Sequence, residues 1–176
     1  MPGKVFHLSG ALVDIASKIQ MVEPIDPPDS DRAAWRLRQD ALPTNWIPDS
    51  LEPHEVRFYE RFNRELGQDI LLIPKDTVSY LPTNDFIWVS KGQYVCELKG
   101  TSPFYRPIKR LLTRAVRRAN RKGVNKQNFV VDLGREVVAP NRLRGQLADY
   151  NTNNPANQIT RMWIVDANGI SEVSIR

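Results

Sequence analysis

Two periodicities divide this chain. Apolar residues at Ile108, Leu111, Leu112, Ala115, Val116 and Ala119 recur at helical spacing, and the positions between them carry Arg106, Arg110, Arg114, Arg117, Arg118 and Arg121. The spacing predicts a helix over residues 106–121, one side apolar and the other arginine. A second helical stripe runs through Val56, Phe58, Tyr59, Phe62 and Leu66, closed by Gly67, and predicts a helix over residues 53–66. Short runs with strand character lie at residues 69–73, 85–89, 94–99 and 129–133. A helix over residues 142–150 and a last hairpin, residues 159–165 and 170–175 turned at Asn168-Gly169, complete the order.

The stretch D-F-I-W-V-S-K-G-Q-Y-V-C-E-L-K, residues 85–99, reads as a hairpin with Ser90-Lys91-Gly92-Gln93 as its connection. Strand side chains alternate, so Val95, Glu97 and Lys99 share one face while Tyr94, Cys96 and Leu98 take the other. Two carboxylates, Asp85 and Glu97, then meet at one end of the hairpin, where hard oxygen ligands could hold a divalent cation. Lys99 beside them could orient an attacking water. At about 100° per residue, Glu55 falls near the middle of the apolar stripe of its helix, about 20° from Phe62 on one side and from Leu66 on the other. A carboxylate aimed into an apolar face is costly unless something ionic awaits it, although an acid in a first helical turn is also favoured by the helix dipole.

Residues 1–50 differ in character and predict a separate helical and Pro-rich segment for delivery, docking or linkage. Leu8, Leu12, Ile15, Ala16 and Ile19 have helical spacing, the Pro24 to Pro28 stretch reads as extended, and a second helix is expected from Asp29 or Ser30 through Ala41. Pro43, Pro48 and Pro53 mark a boundary near residues 43–52, ahead of a compact domain over residues 51–176. No run reaches the roughly 18 apolar residues of a membrane span.

Charge sharpens the picture. Residues 1–100 carry 11 Lys+Arg against 15 Asp+Glu, and residues 101–176 carry 14 against 5, giving the overall +5. A basic half beside a carboxylate cluster suits a polyanionic substrate, with arginine drawing in phosphate. The lone cysteine, Cys96, excludes an intramolecular disulfide and alternates away from Glu97. His7 and His54 are too few and too ill-spaced for a zinc hydrolase or a two-histidine ribonuclease. Trp35, Trp46, Trp88 and Trp163 are too dispersed for a base-stacking platform.

Asp85 followed by Glu97-Leu98-Lys99 resembles the D…(D/E)-x-K signature of the PD-(D/E)xK nuclease superfamily, with Asn84 standing where the family name has proline. The order helix-strand-strand-strand-helix-strand is similar to the αβββαβ core of that superfamily. The resemblance implies an α/β fold with a central mixed sheet flanked by helices, Asp85 and Glu97 binding metal, Glu55 as the acid from the first helix, and Lys99 assisting the water. Mg²⁺ is the expected ion, and Mn²⁺ or Zn²⁺ could use the same oxygens. More narrowly, residues 51–176 look like the C-terminal tRNase toxins of contact-dependent growth inhibition (CdiA-type) systems, without the Val-Glu-Asn-Asn boundary those carry. That likeness implies a bacterial toxin domain, secreted or delivered, that cleaves tRNA or DNA in the target-cell cytoplasm and is silenced by an immunity protein. Arg110, Arg114, Arg117, Arg118 and Arg121 are the expected nucleic-acid contacts. A basic nucleic-acid-binding or phage-structural module without catalysis is the alternative.

Overall fold

A computed structural model describes residues 25–176; the helix expected over residues 8–21 lies outside them. Among the described residues, four α-helices surround one six-stranded mixed sheet, an α/β architecture. In chain order these are α1 (Arg32–Asp40), α2 (Pro53–Glu60), β1 (Ile70–Leu72), β2 (Phe86–Trp88), β3 (Tyr94–Gly100), α3 (Tyr105–Asn120), β4 (Asn128–Asp132), α4 (Asn141–Ala148), β5 (Arg161–Asp166) and β6 (Gly169–Val173). The strands lie side by side in sequence order. β1, β2 and β3 pair antiparallel, β3–β4 and β4–β5 pair parallel, and β5–β6 is antiparallel. Parallel neighbours need a crossover, and α3 and α4 supply the two.

Each face of the sheet has its own apolar core. On one, Phe58, Tyr59 and Phe62 pack on Phe86, Trp88, Cys96, Leu98, Val130 and Trp163. Aromatic contacts dominate there: Phe62 stacks on Phe58 at 4.9 Å and meets Trp88 edge-on at 4.8 Å, and Trp88 meets Trp163 at 5.1 Å. On the other face, Ile108, Leu112 and Val116 of α3 and Leu143 and Leu147 of α4 cover Phe129, Val131, Met162 and Ile164. Because β4 is covered on both faces, its apolar run is continuous, with Phe129, Val130 and Val131 all buried.

Several boundaries differ from the pattern. The helix over residues 53–66 changes at Arg61 into a π-helical turn, Arg61–Glu65, in which Leu66 N–H donates to Arg61 O five residues back. It ends at Gly67, whose φ of +62° a side chain would disfavour. The β2–β3 connection spans residues 89–93 rather than 90–93, and left-handed φ at Gly92 and Gln93 turns the chain. The last hairpin turns one residue early, at Ala167-Asn168, with Gly169 already paired to Asp166.

Residues 32–47, set apart by composition, contribute to the same core. Leu42 and Ile47 are buried with Phe58 and Tyr59, and Trp35 lies between the guanidinium groups of Arg38 and Arg57, 4.6 and 4.9 Å from its ring centre. Arg38 also pairs with Glu60. The outer edge of β1 is covered by this stretch: Asn45 Nδ2 donates to Leu72 O at 3.0 Å, Leu72 N–H donates to Asn45 Oδ1 at 2.6 Å, and Thr44 Oγ1 donates to Ile70 O at 2.8 Å. Among the described residues no helix is long and apolar enough to cross a membrane.

Two substitutions rank these contributions. Phe62→Ala, which empties the centre of the aromatic cluster, should lower unfolding free energy by about 3–5 kcal/mol. Asn45→Ala should cost about 1–2 kcal/mol, and urea titration of both variants checks the order.

Candidate active site

The alternation of β3 is observed. Cys96 and Leu98 enter the α2-side core, while Glu97 and Lys99 pair in register with Phe129 and Val131 and so lie on the α3 side. Glu97 is only 5% exposed, and both of its oxygens are occupied. Lys99 Nζ lies 2.7 Å from Oε1, and Lys126 Nζ pairs with Oε2. Lys99 also donates to Leu98 O at 2.8 Å, and Lys126, itself buried, donates to Thr83 O. A carboxylate this far from water is tolerated because two ammonium groups replace its hydration.

Asp85 sits one residue before β2, where the β2–β3 register brings it alongside Glu97. Its N–H donates to Cys96 O at 2.9 Å, and its Oδ2 accepts from Leu98 N–H at 2.7 Å. Burial, and next the charge of Glu97, push the Asp85 carboxyl up from its ordinary 3.8 to about 6, against the opposing pull of Lys99, the Leu98 N–H and Lys126. The two acids and the two lysines thus form one charge cluster, in which Asp85 is the member raised by burial and by its like-charged neighbour.

Asp85, Glu97 and Lys99 line a cavity of about 480 Å³, with Tyr59 of α2 and Lys126 also in its wall. Asn84 lines it too, and its Oδ1 is buried without a hydrogen-bond partner among the protein atoms, a free hard-oxygen acceptor next to Asp85. Tyr59 is fully buried, and burial first, then the nearby carboxylates of Asp85, Glu55 and Glu97, raise its hydroxyl well above the usual range. It therefore stays a neutral donor. Burial likewise pushes the Cys96 thiol up to about 12, which removes it as a nucleophile at neutral pH.

Glu55 lines the same cavity, but its carboxylate is engaged locally. Its Oε2 accepts from Glu52 N–H at 2.8 Å in a capping box at the start of α2. Among the described residues no three His, Cys, Asp or Glu side chains gather into a group that could hold a metal ion. Asp85 and Glu97 are together, with Lys99 beside them, and Glu55 lines the same cavity with its Oε2 taken by the Glu52 N–H.

The polar side of α3 carries no acidic residue. Arg106, Arg110, Arg114, Arg117, Arg118 and Arg121 border an open groove of about 620 Å³. Arg114 and Arg118, one helical turn apart, border both this groove and the acid-lined cavity. Among the expected nucleic-acid contacts, these two adjoin the carboxylates, while Arg110, Arg117 and Arg121 extend the basic face away from them.

Sequence reasoning missed Lys126. It precedes β4 in an irregular stretch with no periodicity, and only the β3–β4 register, Glu97 opposite Phe129, brings that stretch to the carboxylate. Compared with protein-family models, with curated proteins and with solved structures, the chain matches none.

The raised carboxyl has a pH signature. Between 3.8 and about 6 the folded chain holds a proton that the unfolded chain has lost, so stability falls as pH rises through that window. Asp85→Asn removes the penalty. The variant should exceed wild type by about 1–3 kcal/mol at pH 8 and match it near pH 4, as read by denaturant titration at both pH values.

Proposed function

We propose that this chain is a metal-dependent phosphodiesterase of the PD-(D/E)xK kind, acting on nucleic acid. One observation carries the reading: Asp85, Glu97 and Lys99 share a cavity with Arg114 and Arg118, so carboxylates, a lysine and a phosphate-binding surface meet in one place. The strand and helix order is compatible with the αβββαβ core, with β1–β3 antiparallel and α3 crossing to a parallel β4.

The donor chemistry suits a hard cation. Asp85 would supply a carboxylate, Asn84 Oδ1 is an unused acceptor beside it, and Glu97 would join by exchanging a lysine for the ion; Mg²⁺ commonly takes one or two carboxylates with water and phosphate completing its shell. When bound, such an ion supplies Lewis-acid polarisation of the phosphodiester and acidifies water. Asp85 must be ionised to take part, which favours activity above about pH 6. Lys99, a cation held against Glu97 and Leu98 O, orients the attacking water and stabilises negative charge as it develops. Arg114 and Arg118 hold the flanking phosphates.

In biological terms the reading is a toxin nuclease delivered into a target bacterium, where it cleaves tRNA and is held in check by an acidic immunity protein. An arginine face without interleaved aromatics tracks phosphates, and a folded RNA offers them in a defined shape. A basic binding module without catalysis is the second reading, favoured by one fact: both oxygens of Glu97 are already paired by lysines.

Purified protein should degrade nucleic acid with Mg²⁺ and stop with EDTA. Glu97→Gln should abolish turnover, and Lys99→Ala should reduce it by roughly 10²-fold or more. Near-full turnover in the Glu97 variant at saturating Mg²⁺ would discard the site, and intact substrate in every lane would leave the binding module.

Substrate choice is read separately. With total tRNA and linear duplex DNA offered together at physiological salt, tRNA should be lost first. Expression in a bacterial cytoplasm without a partner should arrest growth. Arg114→Gln and Arg118→Gln should each weaken binding and reduce its salt slope by about 1.

A further inference from the structure

The segment between β1 and β2, residues 73–85, forms a rim of the acid-lined cavity opposite in character to α3. Val78 and Tyr80 are 87% and 77% exposed, and Leu81 is 42% exposed. Tyr80 and Leu81 border the same cavity as Asp85, Glu97, Arg114 and Arg118. Hydrogen bonds within the segment define the turn of the rim. The Asp76 carboxylate accepts from Val78 N–H at 3.0 Å, Ser79 N–H at 2.8 Å and Leu81 N–H at 3.3 Å, and these bonds lower its pKa. Tyr80 itself adopts φ +52°, a left-handed conformation unusual for an aromatic residue.

We infer that Tyr80 is a stacking platform for an unpaired nucleobase whose flanking phosphates lie on Arg114 and Arg118. This deepens the nucleic-acid reading above and rests on it. An exposed ring at the mouth of a cavity with arginines in its wall matches one ligand chemistry well: a nucleotide carries a flat apolar face and an anionic group in the same unit. An apolar peptide side chain would use the ring and leave the arginines unmatched. A bare phosphate would do the reverse. In a perfect duplex the base faces are already stacked on one another, so the ring selects single-stranded or looped segments. The arginine helix lacks an aromatic of its own at this point, and the β1–β2 segment provides it.

The test uses the full chain in EDTA, so that binding is read without cleavage. Its probes are a fluorescein-labelled, unstructured RNA oligonucleotide and the same strand in a perfect duplex, followed by anisotropy over a range of salt. Tyr80→Ala should weaken single-strand binding about ten-fold, leave duplex binding unchanged and keep the salt slope, since no charge is removed. Tyr80→Phe and Tyr80→Trp should bind as wild type. Tyr80→Gly should lose binding like the Ala variant while melting no lower than wild type, because glycine tolerates positive φ freely, and this separates recognition from folding. Wild-type affinity in the Ala variant, equal losses on both probes, or a Phe variant as weak as Ala would overturn the inference. So would failure of the wild type to bind either probe. Intact single-strand binding with a Tyr80 effect, but no Mg²⁺-dependent cleavage, would uphold this site and reject the phosphodiesterase.

Discussion

A carboxylate removed from water and shared between two ammonium groups is the interaction on which this molecule turns. Glu97 joins three parts of the chain that sequence keeps separate: Lys99 on its own strand, Lys126 at the approach to β4, and, through Lys126, the Thr83 carbonyl just before Asp85. Removing either ammonium would leave a buried charge under-compensated, a far larger cost than losing an exposed ion pair. Burial first, and then this same charge, raise the Asp85 carboxyl, so the titration of one acid depends on the other. The parallel β3–β4 pairing is therefore fastened both by its ladder and by an ionic bond at its start.

The arginine helix illustrates a different balance. Arg106, Arg110, Arg114 and Arg118 follow one another at intervals of four, and like charges at that spacing repel. Burial of Ile108, Leu112, Val116 and Ala119 against the sheet holds the helix despite that repulsion, and Arg117 and Arg118 in the last turn complement its dipole. The arginines of this face are therefore carried by the packing of the opposite face, not by attraction among themselves.

What could be read from the sequence followed from periodicity. The stripes at Phe58–Phe62 and at Ile108–Val116 are local patterns that emerge with the apolar face inward, and the alternation around Cys96, Glu97 and Leu98 emerges as two faces, both buried. Asp85 and Glu97 could be paired because a hairpin fixes register over a short span. Lys126 could not, since its contact depends on a crossover connection and an aperiodic loop. Glu55 combines both readings the sequence left open: it lines the cavity, and one of its oxygens caps the helix start through the Glu52 N–H. The structural place of Leu42 and Ile47 was hidden by the prolines around them, which break helical pattern without preventing burial.

Thr44 and Asn45 occupy the position a seventh strand would take. By bonding the carbonyls of Ile70 and Leu72 and the Leu72 N–H, they imitate a neighbouring strand without presenting a further edge that could recruit one. A chain nicked or shortened past this point would keep most of its core but present open backbone groups on a short apolar strand. Its characteristic failure would then be association with other copies of itself, with soluble protein lost to aggregates before the sheet itself melts.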